Sequence, residues 1–474
     1  MPDDNSRSLR LSSYTILSDR LRNGGYAVFN GLTGTIDMVN ENLMRAFQSI
    51  IKNKPPQDRF IESDLLPPDI LSSFLNRGHI TELSHAAERE YARSVSQITH
   101  EYASKQPSIV IVPDLDCNYR CVYCFERSLQ SGLKGRKTKM DMATVDHVFQ
   151  SIKEIGSDIG LSGQTISLFG GEPMQASNLQ IVEYIVSLGR SLGCSFAATT
   201  NGHDLDAFIP LLGSEQIETV QITVDGPPAI HDKRRIALDG SSSFERIVAN
   251  VQRVLKDSDV LITLRVNLDD QNYPYFNDLL DICDKQGWLA DERILVNAAL
   301  VDQKDARGKV VPLLDINNVR NDLSQLVDQY PSLKIGSQQE NLRNDVFTTL
   351  LSKQAFMPRS CYCSASCGSY VFLPDGTISS CWESVGEECS YIGKYSEQGL
   401  LLDQEKAAYH FGRSVDRIDA CLDCQYCLVC GGGCAQMAET NCGDLYQPYC
   451  GDLKETFPWV LAEAVDGFLR LQGL

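Results

Sequence analysis

Apolar and polar positions along residues 106 to about 300 follow two alternating patterns. Short apolar runs typical of buried strands are separated by longer stretches with the i, i+3, i+4 spacing of amphipathic helices. The predicted strands are Ile109–Val112, Thr165–Phe169, Ser195–Ala198, Thr219–Val224, Leu261–Val266 and Ile294–Ala299. Helices are predicted between them near 140–155, 178–192, 203–212, 243–256 and 274–286. Repeated strand–helix units predict an α/β domain with a parallel sheet, either open or closed into a barrel.

The first 105 residues have a different pattern. Short strands are predicted over Tyr14–Asp19, Tyr26–Phe29 and Thr35–Val39, with Asn30-Gly31 and Gly34 as turn residues between the last two. Helices are predicted over Glu41–Ile51 and Glu82–Ser104. This order predicts a small α+β module with an available sheet edge.

The last segment, residues 355–474, is predicted to be loop-rich. It holds twelve of the seventeen cysteines, and residues 1–105 hold none. An apolar core would stabilise such a segment poorly, so we expect its cysteines to bind metal and hold it together. Helices are predicted near 315–330 and over 453–471. The expected domains are therefore 1–105, 106–300, a bridging region 301–354, and 355–474.

Composition and charge exclude several classes of function. A formal net charge of −19 disfavours nucleic acid and anionic membranes as partners. No apolar run approaches the length of a membrane span, and the polar N-terminus lacks the apolar stretch of a secretory signal. We therefore expect a cytoplasmic protein. Seventeen cysteines in a reducing compartment indicate metal ligands rather than disulfides.

Cys117, Cys121 and Cys124 form a C-x3-C-x2-C triplet directly after the first predicted strand of the α/β region. Three thiolates leave one iron of a four-iron cluster open to a small molecule. A zinc site would need a fourth protein ligand, and the neighbouring sequence has no further Cys or His to supply it. The triplet therefore indicates an iron–sulfur cluster with an open position.

This triplet, with Tyr123 before its last cysteine and Gly170-Gly171-Glu172-Pro173 one strand–helix unit later, resembles the radical S-adenosylmethionine (SAM) enzymes. The resemblance implies a partial (β/α)6 TIM-like barrel and an open iron chelated by SAM. It also implies that Tyr123 lies against the adenine. The two glycines would allow close approach of the ligand, and Glu172 would accept from the SAM ammonium.

The C-terminal cysteines are similar to the SPASM extension of radical SAM enzymes that modify peptides and proteins. Eight cysteines would suit two further [4Fe–4S] clusters, three clusters in all. The resemblance implies Cys361, Cys367, Cys381 and Cys434 for one auxiliary cluster and Cys421, Cys424, Cys430 and Cys450 for the other. Structural zinc is the rival interpretation, because paired C-x2-C motifs also bind zinc. Whether Cys442, Cys427 or Cys363 replaces one of these ligands stays open.

Further site residues are predicted at the ends of other strands. Thr200 and Asn201 follow the third strand and are expected to contact SAM. Arg265, on a polar face of the fifth strand, is expected to face the cofactor. Glu383 is the candidate catalytic base, two residues after Cys381. Trp382 occupies the position at which sulfatase-maturing relatives carry Asp.

The resemblance implies a peptide maturase that cleaves SAM to a 5′-deoxyadenosyl radical and installs a thioether or carbon–carbon cross-link. Its expected partners are a precursor peptide and an electron donor such as flavodoxin or ferredoxin. The N-terminal module, with its winged-helix-like order, would bind the leader of that peptide as an added strand, along the strand that contains Tyr26–Phe29 or its neighbour. Two alternatives stay open, namely an anaerobic sulfatase-maturing enzyme that forms formylglycine and a non-catalytic iron–sulfur or zinc scaffold.

Overall fold

Strands and helices alternate through most of the chain. The computed structural model describes residues 9–61, 66–124, 126, 137–156, 161–304, 310–312 and 314–474. The strands are β1 Arg10–Leu11, β2 Thr15–Leu17, β3 Tyr26–Asn30, β4 Ile36–Val39, β5 Ile80–Thr81, β6 Ser108–Ile111, β7 Thr165–Leu168, β8 Ser195–Thr200, β9 Ile217–Thr223, β10 Leu261–Leu268, β11 Ile294–Leu300, β12 Asp302–Lys304, β13 Val310–Pro312, β14 Leu333–Ile335, β15 Ser369–Phe372, β16 Thr377–Ser379, β17 Tyr391–Ser396 and β18 Gly399–Leu402.

The α-helices are α1 Glu41–Asn53, α2 Pro68–Arg77, α3 His85–Ser104, α4 Met142–Ile155, α5 Leu179–Ser191, α6 Pro228–Arg234, α7 Ser243–Asp257, α8 Phe276–Lys285, α9 Ile316–Gln329, α10 Ser337–Ser352, α11 Gln404–Phe411, α12 Asp419–Leu422, α13 Cys427–Cys430, α14 Ala435–Cys442 and α15 Leu453–Leu471. Asp141 and Ser242 are the N-caps of α4 and α7, and their side chains accept from the backbone N–H of Thr144 and Glu245. In the described part of the chain, no helix has the length and apolar character needed to cross a membrane. Residues 1–8, on which the expectation of no secretory signal depends, lie outside the described residues.

The chain divides into two compact units. One contains Met1–Ala103, Ser337–Cys363 and Arg413–Leu474, and the other contains Ser104–Gly336 and Ser364–Gly412. We call them the terminal unit and the sheet unit. The N-terminal segment therefore shares a unit with the end of the chain, an arrangement that differs from the linear domain boundaries predicted above.

The sheet unit is built on one large mixed sheet. Its strand order is β14-β11-β10-β9-β8-β7-β6-β15-β16-β17-β18. The pairs from β6 to β11 are all parallel, whereas β16, β17 and β18 are joined by antiparallel pairs. The predicted α/β class and its parallel strands are confirmed, while closure of these strands into a partial barrel stays a prediction. The additional strands from β14 onward were not predicted.

One expected helix has a different form. Residues 203–212 were predicted to be a helix, and the structure has a 3₁₀ helix there, at Leu205–Leu211. Pro210 lies inside it, and proline removes a backbone donor that an α-helix would need. The sequence pattern reports the helical period but does not distinguish these two helix types.

One face of the parallel sheet is apolar and buried, and the other is partly polar. On β10, Ile262, Leu264 and Val266 are buried, whereas Thr263, Arg265 and Asn267 alternate with them and are half-buried. Strand register places Arg265 beside Thr223 of β9 and Asn297 of β11. The predicted polar face of this strand is thereby confirmed. It continues as a row of polar side chains onto β9 and β11.

The terminal unit has an apolar core that joins the two ends of the chain. Phe29 of β3 contacts Phe356 and Phe457 edge to face, with ring centroids 5.3 Å and 5.6 Å apart. The Tyr14 hydroxyl donates to Leu422 O at 2.7 Å. The expectation that an apolar core would stabilise residues 355–474 poorly is therefore wrong for the part of them in this unit, because the N-terminal strands contribute buried side chains to its core.

The N-terminal sheet has the order β2-β3-β4. The leader was expected to pair along the strand that contains Tyr26–Phe29 or along its neighbour. Tyr26–Phe29 lies in the central strand β3, which pairs with both neighbours. Its backbone groups are therefore engaged, and only β2 or β4 can accept an added strand. The winged-helix-like detail of this module stays a prediction.

Candidate functional site

Loops that follow four neighbouring parallel strands carry most of the predicted binding residues. Cys117 follows β6, Glu172 follows β7, Asn201 follows β8 and Asp225 follows β9. The carboxyl ends of parallel strands meet at one edge of a sheet, where ligands of such sheets bind. The structure therefore brings these four loops together.

Gly170 and Gly171 allow the loop after β7 to lie against the loop after β6. A Cβ atom on Gly170 would come within 2.8 Å of Asp114 O, and one on Gly171 within 2.3 Å of Asp116 O. In place of a side chain, the N–H groups of Gly171 and Glu172 donate to Asp114 O at 3.1 Å and Asp116 O at 2.9 Å. The contact between the two loops is by itself sufficient reason for glycine at both positions. The predicted contact of Gly170 and Gly171 with SAM stays a prediction.

Glu172 joins the loop after β7 to the end of β8. Its buried carboxylate accepts from Met174 N–H at 2.9 Å, the Thr200 hydroxyl at 2.7 Å and Asn201 N–H at 2.5 Å. Burial raises the pKa of Glu172 to about 7, although these hydrogen bonds act in the opposite direction. The Thr200 hydroxyl also accepts from Gly202 N–H at 3.0 Å, so its bonding partners lie within the protein. The predicted SAM contact of Thr200 is untested, and its visible role is to hold this strand end.

Asn201 connects the end of β8 to the segment 117–124, which we call the cysteine loop. Its side-chain amide donates to Asn118 Oδ1 at 2.6 Å and to Cys117 Sγ at 3.8 Å. Its carbonyl oxygen accepts from His203 N–H at 2.9 Å. Asn201 is thus placed at the first of the three predicted cluster ligands.

Tyr123 anchors the other end of the cysteine loop. Its hydroxyl donates to the fully buried Asp225 and accepts from Arg235 Nη1 at 2.8 Å and Asn267 Nδ2 at 3.2 Å. Burial raises the pKa of Tyr123, so the hydroxyl keeps its proton for Asp225. The guanidinium of Arg234 lies 5.2 Å from the Tyr123 ring centroid. The predicted adenine contact concerns the same ring and stays a prediction.

Backbone pairing also holds the cysteine loop in place. Arg120 N–H donates to Ile236 O at 2.8 Å and Val122 N–H donates to Arg234 O at 2.9 Å. The segment after α6 therefore runs antiparallel to the cysteine loop as a short ribbon.

The three thiols are half-buried, and the charge of Cys121 interacts with those of Cys117 and Cys124. Burial raises the pKa of Cys117 and of Cys121, and raises that of Cys124 to about 11. In the described residues, no three His, Cys, Asp or Glu side chains surround a point at which one metal ion could bind. A four-iron cluster is larger than one ion and its thiolates bind different irons, so its ligands need not converge on one point. Three neighbouring thiols beside a buried guanidinium, Arg235, fit a cluster of this kind.

Glu126 is a candidate that the sequence analysis missed. It is 5% exposed, and its Oε1 atom has no hydrogen-bond partner among the described residues. Burial and the nearby charge of Glu172 raise its pKa to about 7. The sequence feature that could have identified Glu126 was its position two residues after Cys124, a predicted cluster ligand.

Arg265 and Glu383 are close enough for their charges to interact. Burial lowers the pKa of Arg265 while the Glu383 carboxylate acts to raise it, and Arg265 Nε donates to Asn267 Oδ1 at 2.8 Å. Trp382, beside Glu383, stacks on Phe169 with ring centroids 5.6 Å apart. Glu383 therefore lies near the polar sheet face, and its catalytic role stays a prediction.

The terminal unit brings together four cysteines predicted to share an auxiliary cluster. The charge of Cys450 interacts with Cys421, Cys424 and Cys430, and burial raises the pKa of Cys421 to about 12. Cys427 belongs to a buried apolar cluster with Tyr14, but Cys421 is in the same cluster and the charge of Cys427 interacts with Cys421, Cys424 and Cys430. Whether Cys427 replaces one of these ligands therefore stays open. Cys442 and Cys363 are exposed.

The other predicted set is distributed over both units. Cys361 and Cys434 belong to the terminal unit, and Cys367 and Cys381 belong to the sheet unit. Their assignment to one cluster stays a prediction.

Arg413 is a second residue that no sequence pattern had selected. It is fully buried, and its guanidinium donates to Gly432 O, Gly433 O, Leu445 O and Gln447 O at 2.5–3.1 Å. Its charge interacts with Cys363, Cys421, Cys430 and Cys434. Arg413 therefore clamps the two backbone segments on either side of α14 next to predicted cluster ligands.

Comparison with known proteins agrees with this geometry. Residues 112–283 match the family model of the radical SAM superfamily. The radical SAM cyclopropyl synthase TigE of Paramaledivibacter caminithermalis is 24% identical, over 93% of this chain and 92% of that protein. A cysteine-type anaerobic sulfatase-maturating enzyme of Clostridium novyi is 23% identical, over 71% of this chain and 90% of that protein.

Solved structures show the same fold. The structure of native anSMEcpe with bound AdoMet has a TM-score of 0.54 at 18% identity and covers 76% of this chain and 100% of that one. Native anSMEcpe with bound AdoMet and the Kp18Cys peptide also has a TM-score of 0.54, at 17% identity, and covers 76% of this chain and 99% of that one.

Proposed function

We propose that this chain, a radical SAM enzyme related to peptide- and protein-modifying maturases, installs a cross-link in a precursor peptide. The observation that carries this proposal is the junction of four strand-end loops around Cys117, Glu172, Asn201 and Asp225. These contacts prepare one face of the cysteine loop for a cofactor without further rearrangement.

In this proposal Cys117, Cys121 and Cys124 hold the SAM-binding cluster. SAM is bound by Tyr123, Gly170, Gly171, Glu172, Thr200, Asn201 and Arg265. When bound and reduced, cluster and SAM supply a 5′-deoxyadenosyl radical that abstracts hydrogen from an unactivated C–H bond. The chain's own part is to orient this cofactor, hold the strand ends rigid and exclude water.

Two auxiliary [4Fe–4S] clusters complete the proposal. The mutual proximity of Cys421, Cys424, Cys430 and Cys450 supports one of them. Arg413, beside several of these thiols, would offset part of their negative charge when they are ligated. Cys361, Cys367, Cys381 and Cys434 are the proposed ligands of the other.

The names of the relatives bear on the kind of bond formed. Formation of a cyclopropyl ring requires a new carbon–carbon bond, and TigE matches this chain over 93% of its length. This favours the carbon–carbon cross-link over the thioether. Anaerobic sulfatase maturation is the second candidate, supported by relatives of that name that match 71% of this chain.

One experiment separates these candidates. Anaerobically reconstituted enzyme, SAM and a low-potential reductant are incubated with a candidate precursor peptide, or with a sulfatase-derived peptide. A cross-link appears in mass spectra as the loss of two hydrogens within the first peptide. An aldehyde in the sulfatase peptide would instead support formylglycine formation. Absence of 5′-deoxyadenosine with either peptide would favour the scaffold interpretation.

We propose strand β4 as the site that binds the leader of the precursor. Thr15 and Ile16 of β2 are completely buried, whereas Met38 of β4 is 57% exposed. Arg77 donates to Ile36 O of β4 at 2.9 Å, so pairing would take place at Met38 and beyond it. An exposed edge strand can pair with an extended peptide through main-chain hydrogen bonds, and side-chain pockets add specificity. The flavodoxin or ferredoxin electron donor and the cytoplasmic location are further parts of this proposal.

Leader binding is better tested by a point substitution than by deletion of the first hundred residues. Those residues share the core of the terminal unit through Phe29 and Tyr14, so their removal would expose that core. Met38→Glu places a charge at the proposed edge and should weaken binding of a fluorescent precursor at least tenfold. Leu401→Glu is the matched control, since Leu401 is 72% exposed on edge strand β18 of the other unit. Equal affinities of all three proteins would contradict the β4 assignment.

A further inference from the structure

Arg235 is a buried cation enclosed by the cysteine loop. It follows α6 and is 8% exposed. Its Nη1 atom donates to the Tyr123 hydroxyl at 2.8 Å, and its guanidinium carbon lies 5.9 Å from the Tyr119 ring centroid. Tyr119 lies between the first two cysteines in sequence and Tyr123 between the last two. The guanidinium is therefore held by the hydroxyl of one tyrosine and lies near the ring of another, and both tyrosines belong to the loop itself.

The positive charge of Arg235 is directed at the thiols. It interacts with Cys117, Cys121 and Cys124, and in each case it opposes the effect of burial on the thiol pKa. Its buried Nε atom has no hydrogen-bond partner among the described residues. Asp225 is an anion whose charge also interacts with Arg235.

Two other arginines of this region are arranged differently. Arg234 is paired with Asp269 at 2.8 Å and lies 3.7 Å from Asp225, so carboxylates balance its charge. Arg120, in the cysteine loop, has a 35% exposed side chain and lies 3.6 Å from Asp116. Water and Asp116 screen that charge.

A buried positive charge beside a cluster stabilises its reduced form. Reduction adds one electron and therefore one negative charge, and the attraction to a nearby cation is strong where water is excluded. Net charge and hydrogen bonding around the cluster are among the factors that set its potential. The electron comes from an external low-potential one-electron donor, and this step breaks no bond.

We propose that Arg235 is a positioning residue that raises the reduction potential of the cluster held by Cys117, Cys121 and Cys124. The inference rests on the proposed function, since it requires that cluster. It adds a role for a residue outside the ligand set.

The test is a redox titration of reconstituted full-length enzyme followed by electron paramagnetic resonance, with dithionite as reductant. The signal that changes on addition of SAM identifies the cluster concerned. Arg235→Gln and Arg235→Met remove the charge, Arg235→Lys keeps it, and Arg120→Gln removes a screened charge from the same loop. Iron content and circular dichroism are measured for each protein.

For Arg235→Gln and Arg235→Met we expect the equilibrium constant for one-electron reduction of the cluster to be at least tenfold lower than in the wild type. The reduced fraction at a fixed potential measures this constant. A tenfold decrease is a shift of about 59 mV to more negative potential for a one-electron couple. Arg235→Lys and Arg120→Gln should stay within about threefold of wild type.

The glutamine variant keeps a polar side chain and serves if the methionine variant does not hold its cluster. An iron-replete neutral variant with the wild-type potential would overturn the inference, as would a lysine variant shifted as far as glutamine. A wild-type enzyme with no SAM-responsive signal would instead show that the proposed cluster itself is wrong.

Discussion

Gly171→Ala is a sharp test of how the cysteine loop is positioned. An ideal Cβ atom at residue 171 would lie 2.3 Å from Asp116 O and 2.6 Å from Leu115 O. Both contacts are with backbone atoms, which cannot rotate away as a side chain could. The substitution therefore has to move the segment that leads directly into Cys117.

The cost follows from these distances. Ordinary contact with carbon begins near about 3.5 Å, so the two loops must separate by about 1 Å. The bond from Glu172 N–H to Asp116 O, now 2.9 Å, would then exceed hydrogen-bond distance, and the 3.1 Å bond from Gly171 N–H to Asp114 O would weaken. Loss of one backbone hydrogen bond and weakening of the other cost about 1–2 kcal/mol together, and residual strain of about 1–2 kcal/mol brings the local destabilisation to about 2–4 kcal/mol.

Hydrogen exchange measures this destabilisation directly. The amides of residues 171 and 172 should exchange roughly 30- to 700-fold faster, because about 1.4 kcal/mol corresponds to a factor of ten. Formation of 5′-deoxyadenosine should decrease together with this local stability. Gly467→Ala is the control, since its added Cβ would meet Phe347 at an ordinary 3.6 Å within helix α15. Wild-type exchange and SAM cleavage in Gly171→Ala would refute the argument that backbone contact positions the cysteine loop.

Three further predictions concern other parts of the chain. Reconstituted enzyme should hold about twelve irons per chain, and about four irons with bound zinc would contradict this. Replacement of all three cysteines of the cysteine loop by alanine should leave about eight irons and abolish formation of 5′-deoxyadenosine. Tyr123→Phe removes the donor to Asp225 Oδ2, and among the described residues only Asn267 N–H, which donates to Oδ1 at 3.1 Å, stays in place. Exchange across the cysteine loop should therefore report a loss of about 1–3 kcal/mol, and unchanged exchange would argue against the network. Burial raises the pKa of Asp37, but hydrogen bonds from His79 and Arg77 outweigh it and hold this pKa below its usual range. Its ionised form therefore adds stability above about pH 4 that is lost as pH falls through the lower folded pKa, and Asp37→Asn should flatten the acid side of urea-unfolding midpoints.

Local features of the sequence were sufficient to predict the strands of the α/β region and the position of its cysteine loop. The alternation of apolar runs and helical spacing predicted each strand from β6 to β11, because strand and helix periods are properties of a few consecutive residues. The positions of Cys117, Glu172 and Asn201 after strands followed in the same way, since parallel strands place their carboxyl ends at one edge. Sequence spacing alone also indicated the three-thiolate cluster.

Contacts between distant segments could not be predicted in this way. A periodic pattern tells which face of an element is buried but not which element buries it. Tyr14 and Leu422 are 408 residues apart, and only the folded chain shows that they share a core. The wrong expectation for residues 355–474 and the choice of the central strand Tyr26–Phe29 both have this origin.

The sequence by itself determined which residues follow which strands and how the cysteines are spaced. Tertiary structure decided what each side chain meets there. It placed Glu172 against Thr200 and Asn201, and it directed Arg235 rather than Arg234 towards the thiols. The physical reason is that hydrogen bonding and charge interaction depend on distances of a few ångströms between loops, and those distances are set by the packing of the whole sheet rather than by any local stretch of chain.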